Sequence, residues 1–116
     1  MTAEEAKKLS DDAQNRELES KNKRLEKFKN SKRMTKIIRR MDKLIAKSIK
    51  NTFNDDDRAF FYPIRDLRTD NLRTLSKDEL EYAKNEILSH YKNKGFVAYI
   101  YTNYDYSEDI VISWKI

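Results

Sequence analysis

The sequence predicts an α+β domain in which N-terminal helices, one of them long, basic and amphipathic, accompany a small C-terminal sheet. Three observations carry that expectation. Between Arg33 and Phe53, Met34, Ile37, Ile38, Met41, Leu44, Ile45 and Ile49 recur at three- and four-residue steps, as one face of an α-helix requires. Ser76 precedes Glu79 at capping-box spacing, with Leu75 and Leu80 where a hydrophobic staple places them, so a second helix begins there. The closing stretch sets Phe96, Ala98 and Ile100 against Val97, Tyr99 and Tyr101. After the polar turn from Asn103 to Asp109 it puts Ile110, Ile112, Trp114 and Ile116 on one side, the period of two hairpin strands.

Size and composition set the bounds. A chain of 116 residues suits one core. At 38% apolar and 39% charged, with a mean hydropathy of -0.98, the apolar side chains suffice for a small core but not for the whole length. The chain contains no cysteine, so disulfides, thiolate metal sites and a cysteine nucleophile are excluded. The longest apolar run, Phe96 to Tyr101, is far too short for a bilayer, and no membrane partner is expected.

Charge is unevenly placed. From Lys21 to Lys50 thirteen Lys or Arg stand against Glu26 and Asp42, while the first twenty residues and residues 51–116 each carry a net −3. Segments of opposite sign attract, within one molecule or between copies.

Taken in order, residues 1–32 read as a polar helical arm. Leu18, Leu25 and Phe28 form its narrow apolar stripe, able to rest on a neighbouring helix or subunit. Residues 33–53 form the basic amphipathic helix. Its other positions are filled by Arg33, Lys36, Arg39, Arg40, Lys43, Lys47 and Lys50, and Asn54 with Asp55, Asp56 and Asp57 ends it in a loop. Residues 54–116 form a β-α-β-β unit. Arg58 to Ile64 is an aromatic strand that Pro63, lacking an N–H, confines to a sheet edge. Residues 65–75 read as a loop anchored by Leu67, Leu72 and Leu75, and the capped helix runs from Lys77 to about Lys92, closed by Gly95.

A right-handed crossover makes the first and second strands parallel and lets the last insert between them. The expected core is Trp114, Ile112, Ile100, Phe96, Leu80 and Ile87. The opposite sheet face, with Val97, Tyr99, Tyr101 and Val111, is too apolar to be fully solvated, and either the oily seam of the basic helix or a second subunit should cover it.

These pieces resemble a group of short proteins encoded by tailed bacteriophages. The resemblance rests on Thr2-Ala3-Glu4-Glu5-Ala6, the Met34 to Ile49 seam, the helix from Ser76 to Tyr91, Gly95-Phe96-Val97-Ala98 and Ile112-Ser113-Trp114. A valine is usual where Ala98 stands. The group implies virion-associated or early accessory roles and no catalytic mechanism.

The candidate chemistry points to binding. His90, the single histidine, lies near the end of the capped helix without the neighbours of a triad, and Asp55 to Asp57 lack the pattern of a calcium loop. No enzyme, cofactor or metal is expected. Lys36, Arg39, Arg40, Lys43 and Lys47 form a cationic back suited to phosphates, or to the acidic segments of the chain itself. Arg58, Arg65, Tyr99 and Tyr101 are candidates to clamp and stack an anionic nucleotide. Met34, Ile38, Met41 and Ile45 are candidates for an oligomer interface.

The leading expectation is a non-enzymatic phage protein acting by assembly, most simply a virion component. A host-directed accessory protein is the first alternative, inhibiting a host enzyme or sequestering a signalling nucleotide against host defence. A nucleic-acid binder is the second. Partners are copies of itself or other phage or host proteins, and the setting is the virion or the host cytoplasm.

Overall fold

The computed structural model describes residues 1–50, 58–69 and 74–114. Helices from the N-terminal half and a three-stranded sheet near the C-terminus make an α+β fold. It comprises two compact units, Met1–Ser31 and Lys32–Ile116.

The first unit is one helix, α1 (Ala3–Asn30). Thr2 Oγ1 accepts from the Glu5 N–H at 3.1 Å and Glu5 Oε2 accepts from the Thr2 N–H at 3.2 Å, so two otherwise orphaned donors are satisfied reciprocally. Ser31 closes the helix by donating its N–H and its hydroxyl to the Phe28 carbonyl. Of the expected stripe, Phe28 is buried, Leu25 half-buried and Leu18 exposed.

In the second unit α2 (Arg33–Lys50) packs against α4 (Lys77–Asn93). Ile37, Met41 and Ile45 are buried along its seam, Met34 and Ile38 half-buried, and Leu44 and Ile49 exposed. The seam is therefore largely used within the chain. Met41 and Ile45, expected at an oligomer interface, are core residues, because packing on α4 already takes them out of water. The expected end of α2, in residues 51–57, lies outside the described residues.

Strand β1 (Ala59–Pro63) leads directly into a short helix, α3 (Ile64–Thr69). A loop was expected over 65–75, so α3 is a correction. Ile64 and Leu67, three residues apart, are both buried, and Asp66 sits in the first turn, favoured by the helix dipole. The Leu75 N–H donates to the Arg68 carbonyl at 3.0 Å, and Leu75 is buried. Leu72 lies outside the described residues.

Helix α4 has the expected capping box. Ser76 Oγ accepts from the Glu79 N–H at 3.3 Å and Glu79 Oε1 accepts from the Ser76 N–H at 3.0 Å. It ends in a Schellman motif, with the Phe96 N–H donating to the Tyr91 carbonyl and the Gly95 N–H to the Lys92 carbonyl. Gly95 has φ +92°, a conformation that a side chain disfavours.

Strands β2 (Val97–Thr102) and β3 (Glu108–Ser113) complete the sheet in the order β1-β3-β2. Both outer strands run antiparallel to β3. They are thus parallel to one another with the last strand between them, as expected, and β1 is an edge. The register aligns Phe60, Ile112 and Ala98 in one row and Tyr62, Ile110 and Ile100 in another on the same face. Ile110 and Ile112 are fully enclosed and Ala98 and Tyr62 buried, with α4 packed on β2 and β3.

The expected core is shifted. Ile112 and Ile87 are buried, whereas Trp114, Ile100, Phe96 and Leu80 are half-buried. Strand β3 stops at Ser113, so Trp114 lies beyond the ladder, its N–H donating to the Arg58 carbonyl at 3.1 Å. Truncating it should cost less than the ~3–5 kcal/mol of an enclosed ring.

The contact between α2 and α4 is also polar. Tyr91 is buried and donates its hydroxyl to Asp42 Oδ1 at 2.7 Å, with His90 and Phe96 edge-on to its ring. Burial, then the bond to Asp42 and its charge, push the Tyr91 hydroxyl far above its ordinary value. Burial also raises Tyr62, Asp66 adding to the effect and Arg40 opposing it. Both folded values exceed the unfolded one, so this stabilisation is complete below about pH 10 and is lost as pH rises further. Unfolding free energy should therefore be level to about pH 9 and fall above pH 10. Tyr91→Phe should start about 1–2 kcal/mol lower with a shallower alkaline decline, as urea titrations from pH 8 to about pH 11 would read.

Candidate functional site

Three surfaces hold the side chains that sequence reasoning singled out. The first is the back of α2. At 100° per residue, Arg33, Lys36, Arg39, Arg40, Lys43, Lys47 and Lys50 fall within an arc of about 120° opposite the buried seam. The helix carries a single acid, Asp42, outside that arc and occupied with Tyr91. Lys36, Arg39, Lys43 and Lys47 are exposed, and among the described residues none of them has a carboxylate partner.

The second surface is the sheet face away from α4. The register places Phe61, Val111 and Tyr99 in one row, with Val97 and Tyr101 two positions either side of Tyr99. Val111 is 1% exposed, shielded at the centre of the sheet, while Phe61, Val97, Tyr99 and Tyr101 are 54%, 53%, 46% and 46% exposed. Of the two expected covers, the α2 seam does not serve, since it is packed on α4. The outer edge of β2 is open as well. No described backbone group outside the sheet bonds to it, and its sequence VAYIYT holds neither charge nor proline, unlike the proline-ended edge of β1.

The hairpin tip continues this surface. Asn103 and Ser107 close the loop, the Asn103 N–H donating to the Ser107 carbonyl at 2.8 Å and the Tyr106 N–H to the Asn103 carbonyl at 3.0 Å. Tyr106 adopts φ +65°, a left-handed conformation costly for a residue with a β-carbon. Tyr104 and Tyr106 are almost wholly exposed. Ser107 donates its hydroxyl to Asp105 Oδ1 at 2.6 Å and its N–H at 3.1 Å, and these bonds hold the Asp105 carboxyl below the usual range.

The third surface is a cleft of about 400 Å³ between the hairpin tip, α3 and the start of α4, lined by Pro63, Ile64, Arg65, Arg68, Leu80 and residues 105–109. Its charges are mixed. Glu108 is met by Lys84 Nζ at 3.7 Å, which also reaches Glu81 at 3.0 Å.

The proposed nucleotide clamp is not brought together. Arg58 precedes β1, where its carbonyl accepts from Ser113 Oγ at 3.0 Å, whereas Arg65 follows β1 at the cleft. The two residues flank β1 at opposite ends, while Tyr99 and Tyr101 lie on the open face of β2. Half-buried His90 stacks edge-on to Tyr91 at 4.9 Å, Asp55 to Asp57 lie outside the described residues, and among the described residues no three His, Cys, Asp or Glu gather as a metal site. No described helix is long and apolar enough to cross a membrane. The tip strain at Tyr106 escaped sequence reasoning, for which the only signal was an aromatic at a turn position that favours glycine. No family model, no curated protein and no solved structure matches the chain.

Proposed function

We propose that the protein works by assembly rather than catalysis, pairing with a second copy of itself along the outer edge of β2, as a small phage structural component associated with the virion. The observation that carries this reading is the open, uncharged edge of β2 beside the exposed row of Val97, Tyr99 and Tyr101. An unprotected edge is a template for another strand, and tyrosines are enriched in interfaces.

A second copy fits this edge antiparallel. Lys92 and Lys94 precede β2 and Asp105 follows it, so antiparallel pairing sets each basic end against the acidic end of the other copy. Pairing about Tyr99 also keeps both aromatic rows on one face, because opposed residues in an antiparallel pair share a face. The resemblance to small tailed-phage proteins supports the virion as the setting. A nucleotide-sequestering role draws no support from Arg58 and Arg65, which stand at opposite ends of β1.

Sedimentation equilibrium at roughly tens of micromolar, where modest interfaces populate, should give a dimer mass. Tyr99→Lys places like charges opposite one another and should give a folded monomer. A wild-type monomer at that concentration would overturn the pairing. In particles purified from a phage encoding the chain, stoichiometric copies are expected, and their absence would rule out the virion role.

A further inference from the structure

We infer that the back of α2 is a sequence-independent binding site for the backbone of duplex nucleic acid. This rests on a different surface from the β2 edge and stands or falls separately. Lys36, Arg40, Lys43 and Lys47 follow one another at single-turn steps, with Arg39 and Lys50 alongside, so the ridge is straight and about 25 Å long from Arg33 to Lys50. A polyanion with regularly repeated charges matches such a ridge, since each phosphate neutralised releases condensed counterions.

Two features choose among anionic partners. A membrane-surface helix sinks its apolar face into the headgroup boundary, but Ile37, Met41 and Ile45 are buried inside the chain, and the exposed apolar residues of α2, Leu44 and Ile49, lie on opposite flanks of that seam and form no continuous face to insert. The ridge cations are interspersed with no Asn, Gln or aromatic side chain. Such a surface meets phosphates and sugars without reading base edges, so binding should be indifferent to sequence.

The test uses the full chain and a fluorescent duplex of roughly 24 base pairs, with affinity followed by anisotropy between about 50 and 200 mM salt. About five phosphate contacts give a logarithmic salt slope of about −4 to −5, a loss of roughly 500-fold across that range. A scrambled duplex should bind within about threefold. Arg39→Glu/Lys43→Glu should weaken binding by roughly 100-fold or more at the lowest salt and flatten the slope by about 2, with circular dichroism unchanged. Lys7→Glu/Lys8→Glu, the same change in net charge placed on α1, should leave affinity within about threefold.

The inference is overturned by any of three results. They are no duplex binding at the lowest salt, equal weakening by both double variants, or binding confined to anionic vesicles or acidic proteins.

Discussion

Ile112→Ala should destabilise the second unit by about 2–5 kcal/mol, and should do so by more than Trp114→Ala, although the latter removes many more atoms. Ile112 lies in the central strand, opposite Phe60 on one side and Ala98 on the other, and is fully enclosed. The cavity left there has no solvent-facing side through which neighbours could collapse. Trp114 is half-buried past the end of the ladder, and its truncation leaves a surface that water can fill. Against a total stability of about 5–15 kcal/mol for a typical domain, the isoleucine change removes a large fraction. Thermal or urea unfolding of the two variants side by side reads the order. A tryptophan change equal to or costlier than the isoleucine change would show that the core is centred beyond the end of β3.

Met41→Ala should cost a similar ~2–5 kcal/mol, and the loss should not depend on protein concentration. Met41 is fully enclosed on the seam of α2, between Ile37 and Ile45 one turn to either side, so its methylenes stabilise the fold of each chain. If that seam joined two chains instead, the midpoint of unfolding would rise with concentration and the variant would change the mass in solution. Unfolding curves over a hundredfold range of concentration, taken in the Tyr99→Lys background where the β2 edge does not pair, distinguish the two, and a concentration-dependent midpoint there that Met41→Ala abolishes would return the seam to an interface.

How much of this was legible follows from how local each signal is. The seam of α2 and the ends of α4 were readable because helical period, capping box and terminal glycine act within a few residues. The same capping-box spacing at Thr2 and Glu5 marks the start of α1. The mixed arrangement of the sheet followed from connection rules. Helix α3 did not, because six residues mostly polar in composition hold only Ile64 and Leu67 as helical anchors, and their burial depends on tertiary neighbours.

On the candidate site, the arc of cations was visible in the spacing of Lys36, Arg40, Lys43 and Lys47, but the exposure of its side chains is a property of three-dimensional placement. Arg58 and Arg65 looked like companions because seven residues separate them. Between them, however, runs β1, with Arg58 before its first residue and Arg65 past its last, in α3.

The central position of β3 also bears on how the chain is made. On a ribosome β1 and β2 emerge first, yet in the finished sheet neither touches the other, and each has only β3 as its neighbour. Until that segment leaves the exit tunnel the two earlier strands have nothing to bond with, and the closing pair of Ala59 with Ser113 spans more than half the second unit. Helices α1, α2 and α4 can form locally during translation, whereas the sheet must wait, so its assembly is slowed by a long loop closure. During that wait the neutral VAYIYT segment is exposed on both edges, and nascent chains crowded on one message would be most prone to pair with each other through it.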